Sequence, residues 1–248
     1  MQIIHNIHSK NYDLRPESNY PIRYIILHYT EMEFNEAVNR LCDPAAKVSA
    51  HYVIKKTGEI YQLVGDFYRA WHAGKSKWYH EETINNSSIG IELDNLGNEE
   101  FSDEQMKSVI GLCKSLMNKY RIPRENVLGH SDIAVGRKID PGIYFNWHLL
   151  AQNGIGINFP KYAQSEINFP SYSKLDIEKI QLNLKKLGYN IEINGIVDKQ
   201  TSDVFGAFQL HFNQKAIIAQ GGVNPPFNPD RTYAFDDVSK KILDLLVE

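Results

Sequence analysis

Five residues whose side chains can bind a metal ion or move a proton are spread over more than a hundred positions of this chain. They are His28, Glu92, His130, Lys138 and Asp140. Two imidazoles and a carboxylate can hold a zinc ion and leave its fourth coordination position open for water. A further glutamate can transfer protons, and a lysine can stabilise negative charge that develops during a reaction.

The spacing of these residues is a weak signal by itself, because it matches no compact zinc motif such as H-E-x-x-H. A lone histidine such as His28 is most often a packed residue at a strand end. Strand alternation favours a solvent-facing position for Glu92 between its two apolar neighbours. Lys138 is equally consistent with an ordinary surface charge. From the residues alone, the metal-site interpretation and these structural interpretations both stay open.

Short strand-like segments carry or precede these residues. Runs rich in β-branched and aromatic side chains predict strands at residues 24–28, 51–54, 59–64, 89–93 and 126–129. The turn residues at 56–58 join the second and third strands in a predicted hairpin. His28 ends the first strand and His130 follows the last, which is where α/β proteins place their sites. Asp140 follows in a loop that contains Gly136, Pro141 and Gly142 and can bend back towards His130.

Helical patterns separate these strands. Apolar periodicity predicts helices at residues 33–42, 102–121 and 144–152. Ser102 with Gln105 has the capping-box pattern, and Gly154 provides a C-terminal stop for the third helix. Strands interspersed with helices predict an α/β domain with a mixed central sheet flanked by helices.

The composition changes near residue 153. Residues 154–173 contain Gly, Pro and two copies of Ile-Asn-Phe-Pro, which predicts a linker that contacts a surface through Phe159 and Phe169. Three apolar stripes of helical period then predict a small three-helix all-α domain; they contain Ile177, Ile180, Leu184 and Leu187, then Val204, Phe205, Phe208 and Phe212, then Val238, Ile242, Leu245 and Leu246. We therefore predict domains at 1–153 and 174–248, joined by the linker 154–173.

The overall composition is that of an ordinary globular protein. A formal charge of −3 gives no electrostatic footprint for nucleic acid, so we expect no DNA or RNA partner. No apolar run is long enough to span a bilayer, and residues 1–6 do not begin a signal peptide. Cys42 and Cys113 each belong to an apolar helical stripe, which favours packing roles; their spacing does not require a disulfide.

Five segments, in order, resemble the zinc-dependent N-acetylmuramoyl-L-alanine amidases, the family that also contains the peptidoglycan recognition proteins. The segments are IILHYT at 25–30, SAHYVI at 49–54, WHAG at 71–74, SIGIEL at 88–93 and GHSDIAVGRKIDPG at 129–142. Together they cover roughly residues 20–150. Segment 180–189 and the Asn194–Gly195 turn, with Asp198, Thr201 and FGAFQ at 205–209, resemble the small peptidoglycan-binding domain found on many wall hydrolases.

The resemblance implies a role for each matching residue. His28, His130 and Asp140 would bind one zinc ion, Glu92 would act as general base and acid, and Lys138 would stabilise the oxyanion. Substrate contacts would come from His51, Trp71, His72 and Arg137, with His51 as a cleft-wall residue, or one that supports the site from behind, rather than a ligand. Some branches of the family place a catalytic tyrosine immediately before the histidine that matches His51. Here that residue is Ala50, so the proton transfer falls to Glu92.

The implied reaction is hydrolysis of the amide between N-acetylmuramic acid, or its 1,6-anhydro form, and L-alanine of a peptidoglycan stem peptide. Two alternatives are a receptor that binds muropeptides without cleaving them and a zinc peptidase that cuts within the stem peptide. The expected partner is peptidoglycan or a muropeptide. The C-terminal unit favours the cell envelope, with export directed by a segment absent from this chain; the alternative is the cytoplasm.

Overall fold

The computed structural model describes residues 2–16, 21–157 and 165–248. The strands are β1 (Ile3–Ile4), β2 (Tyr12–Leu14), β3 (Tyr24–Tyr29), β4 (Tyr52–Ile54), β5 (Ile60–Gln62), β6 (Tyr68–Ala70), β7 (Lys77–Trp78), β8 (Glu81–Glu82), β9 (Ser88–Leu93) and β10 (Val127–Gly129). The helices are α1 (Phe34–Cys42), α2 (Asp103–Tyr120), α3 (His130–Ile133), α4 (Trp147–Gln152), α5 (Lys174–Leu187), α6 (Lys199–Phe212), α7 (Gln214–Ala219) and α8 (Asp237–Val247). The predicted contact of Phe159 lies outside the described residues.

A six-stranded sheet with the order β1-β5-β4-β9-β3-β10 forms the centre of the molecule. Its strand pairs are parallel except for β4 and β5, which form the predicted hairpin. Gly58 closes that hairpin at a φ of 92°, a left-handed conformation that favours glycine. The mixed sheet predicted from the sequence is confirmed. Parallel β3, β9 and β10 end side by side, and this edge carries the candidate site.

Alternation along the strands divides the core into two layers. Ile25 and Leu27 of β3 face one side, where they pack with apolar residues of α2 and α4. Tyr24 and Ile26 face the other side and join a cluster that includes residues of the C-terminal helices. His28 continues the second series, so it lies on the face of the sheet that the C-terminal helices share.

The three helices predicted in the first unit form, and α1 and α4 start later than predicted. Helix α2 begins where expected, because the Ser102 hydroxyl accepts a hydrogen bond from the Gln105 N–H. The Gln105 side chain does not return this bond; it donates to the Ile54 and Asp94 carbonyls and so ties the helix to the sheet. Helix α4 begins after Asn146, which caps it by accepting from the Leu149 N–H.

The C-terminal unit contains the three predicted helices, α5, α6 and α8, and one short helix, α7, that the sequence patterns did not indicate. Helix α6 packs against α3, and the Tyr189 ring meets Trp78 edge to face, with ring centroids 4.9 Å apart. Both cysteines are free. In the described part of the chain, no helix has the length and hydropathy needed to cross a membrane.

Candidate metal centre and substrate cavity

Three buried side chains converge at the carboxyl edge of the sheet. His28 comes from the end of β3, His130 is the first residue of α3, and Asp140 lies in the loop that follows. The His28 Nδ1 atom is 3.0 Å from His130 Nδ1 and 2.9 Å from Asp140 Oδ2, and the last two atoms are 3.0 Å apart. The loop folds back as expected, since the Ser131 N–H donates to the Asp140 carbonyl.

Hydrogen bonds fix which nitrogen of each histidine faces this centre. The Ser88 hydroxyl donates to the Ile84 carbonyl at 2.7 Å and can accept from His72 Nε2 at 3.1 Å. His72 Nδ1 is then an acceptor for His28 Nε2, which lies 3.1 Å away. His130 Nε2 donates to the Ala73 carbonyl at 3.1 Å. His28 and His130 therefore both present the lone pair of Nδ1 to the centre.

The donor set fits a divalent metal ion. Burial lowers the pKa of His28 to about 4, which keeps its ring neutral. The buried Asp140 carboxylate lies against both rings, with its Oδ2 atom 2.9 Å from His28 Nδ1 and 3.0 Å from His130 Nδ1. Two imidazole nitrogens and a carboxylate oxygen, buried and facing one another, are suited to binding a cation. Two histidines and one carboxylate form a ligand set typical of catalytic zinc.

Glu92 lies beside this centre. Its backbone is paired in register with that of His28, so both side chains leave the sheet on the same face. That face is a cavity rather than open solvent, which explains why alternation alone favoured a solvated residue. Within the described residues, Glu92 Oε2 is buried without a hydrogen-bond partner. Burial and the nearby Asp140 carboxylate raise the pKa of Glu92 well above its usual value.

The cavity in front of the centre has a volume of about 630 Å³. Its lining includes most of the predicted site residues: His28, Trp71, His72, Glu92, His130, Arg137, Lys138 and Asp140. Arg137 donates hydrogen bonds to the Ala73 and Lys75 carbonyls, both at 2.7 Å, so the guanidinium has a fixed position at the wall. This volume accommodates a substrate larger than a single amino acid.

His51 lies behind the cavity wall, which is one of the two positions that the sequence allows for it, and it does not line the cavity as a substrate contact would. It is 0% exposed and is not among the residues that line the cavity. Its Nδ1 accepts from the Gly90 N–H at 3.0 Å, and its Nε2 lies 3.1 Å from the Tyr68 carbonyl. Burial and the neighbouring Arg15 lower the pKa of His51 to about 3. Of the two predicted positions, we therefore favour the one behind the site, where His51 positions β9.

Sequence reasoning missed a buried carboxylate next to the centre. Asp132 is 0% exposed and accepts hydrogen bonds from the Gly129 N–H at 2.8 Å and from the Tyr189 hydroxyl at 2.6 Å. His211 Nδ1 is 2.8 Å from the same carboxylate, and its ring stacks on Trp147. Asp132 thus joins the turn that begins α3 to the C-terminal helices. The only sequence signal was its place two residues after His130.

Comparisons with known proteins agree with this arrangement. Residues 18–143 match the family Amidase_2, N-acetylmuramoyl-L-alanine amidase. The amidase AmiD of Escherichia coli is 34% identical over 218 residues, which cover 79% of this chain and 77% of AmiD. The 1,6-anhydro-N-acetylmuramyl-L-alanine amidase AmpD of the same organism is 34% identical over 157 residues, covering 56% of this chain and 85% of AmpD.

Solved structures extend the similarity to almost the whole chain. The complex of E. coli AmiD with the substrate anhydro-N-acetylmuramic acid-L-Ala-D-γ-Glu-L-Lys superposes with a TM-score of 0.73 at 30% identity, over 93% of this chain and 90% of AmiD. AmpDh3 from Pseudomonas aeruginosa gives a TM-score of 0.69 at 27% identity, over 93% and 92% of the two chains. The chain therefore belongs to the N-acetylmuramoyl-L-alanine amidase family.

Proposed function

We propose that this amidase is zinc-dependent and hydrolyses the bond between N-acetylmuramic acid, or its 1,6-anhydro form, and L-alanine of a muropeptide. The observation that carries the proposal is the buried group of His28, His130 and Asp140, which opens onto the same cavity as Glu92 and Lys138. The substrates of AmiD and AmpD support the choice of bond.

His28, His130 and Asp140 would hold the zinc ion, which when bound would polarise the scissile carbonyl and acidify the attacking water. The chain's own residues supply the other functions. Glu92 takes a proton from the water as it attacks the carbonyl carbon. It then gives the proton to the leaving amine of L-alanine, since an amine departs only when protonated. The raised pKa of Glu92 lets the carboxyl keep that proton between the two steps.

Lys138 faces the cavity from the loop between His130 and Asp140. Its ammonium group would stabilise the negative charge that develops on the carbonyl oxygen. Removing a group of this kind typically costs about 10²–10³ in rate. Trp71, His72 and Arg137 line the remaining wall and would orient the substrate; Arg137, with its fixed guanidinium, suits a carboxylate of the stem peptide.

Product analysis tests the proposed bond. Wild-type protein loaded with zinc should convert a muropeptide into a free sugar and a peptide that begins with L-alanine, detected by mass spectrometry. A sugar that still carries L-alanine would instead indicate a peptidase. If the muropeptide binds and stays intact, the chain is a receptor.

Removal of the metal tests the cofactor. A chelator should abolish turnover, and addition of about one equivalent of zinc should restore it. His148→Ala serves as a control for His28→Ala, because His148 lies outside the cavity. His28→Ala should lower the zinc content, and His148→Ala should leave it unchanged. Full turnover by metal-free protein would contradict the proposal.

We also propose that residues 174–248 form a peptidoglycan-binding unit that follows the linker 154–173. We further propose that the protein acts in the cell envelope. The helical unit and its sequence resemblance support both parts. Cosedimentation of the Glu92→Gln variant with purified peptidoglycan tests the binding, and soluble muropeptides are added as competitors for comparison. Fractionation of cells that produce the native protein distinguishes the envelope from the cytoplasm.

A further inference from the structure

The Pro-rich segment 224–229, which lies between α7 and α8, reaches the substrate cavity. A Cβ atom added to Gly97 would lie 2.9 Å from Pro225 Cγ and 2.8 Å from Tyr29 Cζ. Gly97 is therefore enclosed between the segment and Tyr29, the residue that directly follows His28. Tyr29 itself lines the cavity. The C-terminal unit thus packs on Gly97, next to the strand end that carries a predicted metal ligand.

Several interactions hold the segment in place. Val223 is buried at its start. The Asn228 side chain accepts from the Asp230 N–H at 3.0 Å, and its carbonyl accepts from the Arg231 N–H at 3.3 Å. Arg231 also donates to the Gln220 carbonyl at 2.8 Å. Three prolines restrict the φ angles of the segment. The segment therefore has a defined path before any substrate binds.

Phe227 points from this segment into the cavity. Its side chain is partly buried against the core cluster shared with the C-terminal helices, and it also lines the cavity. The other described residues that line the cavity all lie between positions 28 and 140. Phe227 is the one such residue that the C-terminal unit contributes to this wall.

We propose that Phe227 is a specificity-determining residue whose ring packs on apolar atoms of the bound muropeptide on the Tyr29 side of the cavity. The inference rests on the proposed function and extends it, because it makes the C-terminal unit part of the substrate site. A ring already held on one face loses little conformational freedom when a ligand covers the other face. Covering the exposed face of the Phe227 ring with apolar atoms of the substrate then contributes directly to affinity.

Kinetics of Phe227→Ala test the inference. The KM for a muropeptide with a three-residue stem should rise roughly tenfold, since part of an aromatic side chain no longer covers the substrate. The kcat should stay within about twofold, because Phe227 performs no bond-making step. Phe227→Tyr should restore the low KM. Phe67→Ala is the matched control, as Phe67 is 81% exposed and does not line the cavity.

The outcomes separate this inference from the proposed function. If wild-type protein with zinc releases no peptide, the proposed function fails. If wild-type protein is active and Phe227→Ala leaves KM unchanged, or lowers kcat instead, the inference is overturned. Should Phe227→Ala not fold, Phe227→Trp provides a second measurement. Its added fluorescence should change saturably with muropeptide concentration, and an unchanged signal at saturating substrate would refute the contact.

Discussion

At the scale of single residues, the site depends on side chains whose burial is expensive unless a partner compensates for it. Asp140 is a buried carboxylate that faces two imidazole lone pairs, and a bound cation would satisfy all three groups. Glu92 has a buried oxygen without a partner among the described residues. Such a group retains its capacity to bind water or a proton.

The role of Glu92 gives a prediction at this scale. Glu92→Gln keeps the shape of the side chain but removes its capacity to carry the proton, so kcat should fall by about 10²–10⁴. The zinc content should not change, because Glu92 is not one of the three converging ligands. Steady-state kinetics and metal analysis measure the two effects. Glu100→Gln, at an exposed position, is the control, and a kcat within tenfold of wild type would exclude this role for Glu92.

At the scale of elements, side chains along β9 alternate between the apolar core and the candidate site. Ile89, Ile91 and Leu93 fill the core on one face. Ser88, Gly90 and Glu92 face the site. Gly90 is necessary there, since a Cβ atom at this position would lie 2.4 Å from His72 Cγ. One strand thus supplies a core surface, the proposed proton carrier and the space for a histidine that orients His28.

Gly90→Ala should therefore disturb the site through His72. The ring must move, which breaks its contacts with His28 and Ser88, and the loss of such an orienting partner typically lowers metal affinity or activity about 10–100-fold. Zinc affinity measured by competition with a chelator, together with kcat/KM, reports the effect. Gly65→Ala is the matched control, since a Cβ atom there would meet Tyr68 at an ordinary 3.5 Å. Equal zinc affinity in both variants would contradict this explanation.

A second element contact predicts how stability depends on pH. Asp66 is buried, yet hydrogen bonds from Tyr120, Tyr52 and Lys119 outweigh the cost of burial and lower its pKa. Its carboxylate joins α2 to the β4–β5 hairpin. A lowered pKa in the folded state means that this stabilisation is complete above the unfolded pKa of about 4. It is lost as the pH falls through the folded pKa.

Unfolding experiments on Asp66→Asn test this linkage. The free energy of unfolding of the wild type should exceed that of the variant at pH 6, and the difference should shrink below about pH 4 as the carboxylate becomes protonated. Denaturant titrations across this pH range measure the difference. Asp230→Asn, at an exposed position, should follow the wild-type curve. A difference that stays constant with pH would show that Asp66 contributes only through packing.

At the scale of the whole molecule, the C-terminal helices share a core with the sheet. One apolar cluster includes Ile26 and Trp78 from the first unit together with Ile180 and Phe208 from the second. Asp132 adds polar contacts to Tyr189 and His211 across the same boundary. The helices are therefore more than a tethered module, since they support the turn from which His130 extends.

Two tyrosine substitutions test this support. Tyr189→Phe removes the hydrogen bond to buried Asp132 and should lower the free energy of unfolding by about 1.5–3 kcal/mol, the range for bonds to charged groups. Tyr172→Phe removes a buried hydroxyl that has no partner among the described residues, so its effect should stay within about 0.5 kcal/mol. Denaturant titration measures both changes. Equal effects would show that the Tyr189–Asp132 bond contributes nothing specific.

Local patterns in the sequence determined five of the six strands of the central sheet and the long helices. Alternation placed the strands, apolar stripes placed the long helices, and Ser102 marked the start of α2, because these features depend on neighbours a few residues apart. The five ordered segments were sufficient to identify the family and to nominate His28, His130 and Asp140. The three helices of the C-terminal unit also followed from periodicity.

Only the tertiary structure decided what depends on contacts between distant segments. It placed Glu92 in a cavity rather than in open solvent. It buried His51 against β9, and it joined Asp132 to Tyr189 and His211. It also brought Phe227 to the cavity wall. Periodicity states which face of an element is apolar, but it does not state which distant element covers that face. That choice is made by packing, in which most buried polar groups find a hydrogen-bond partner.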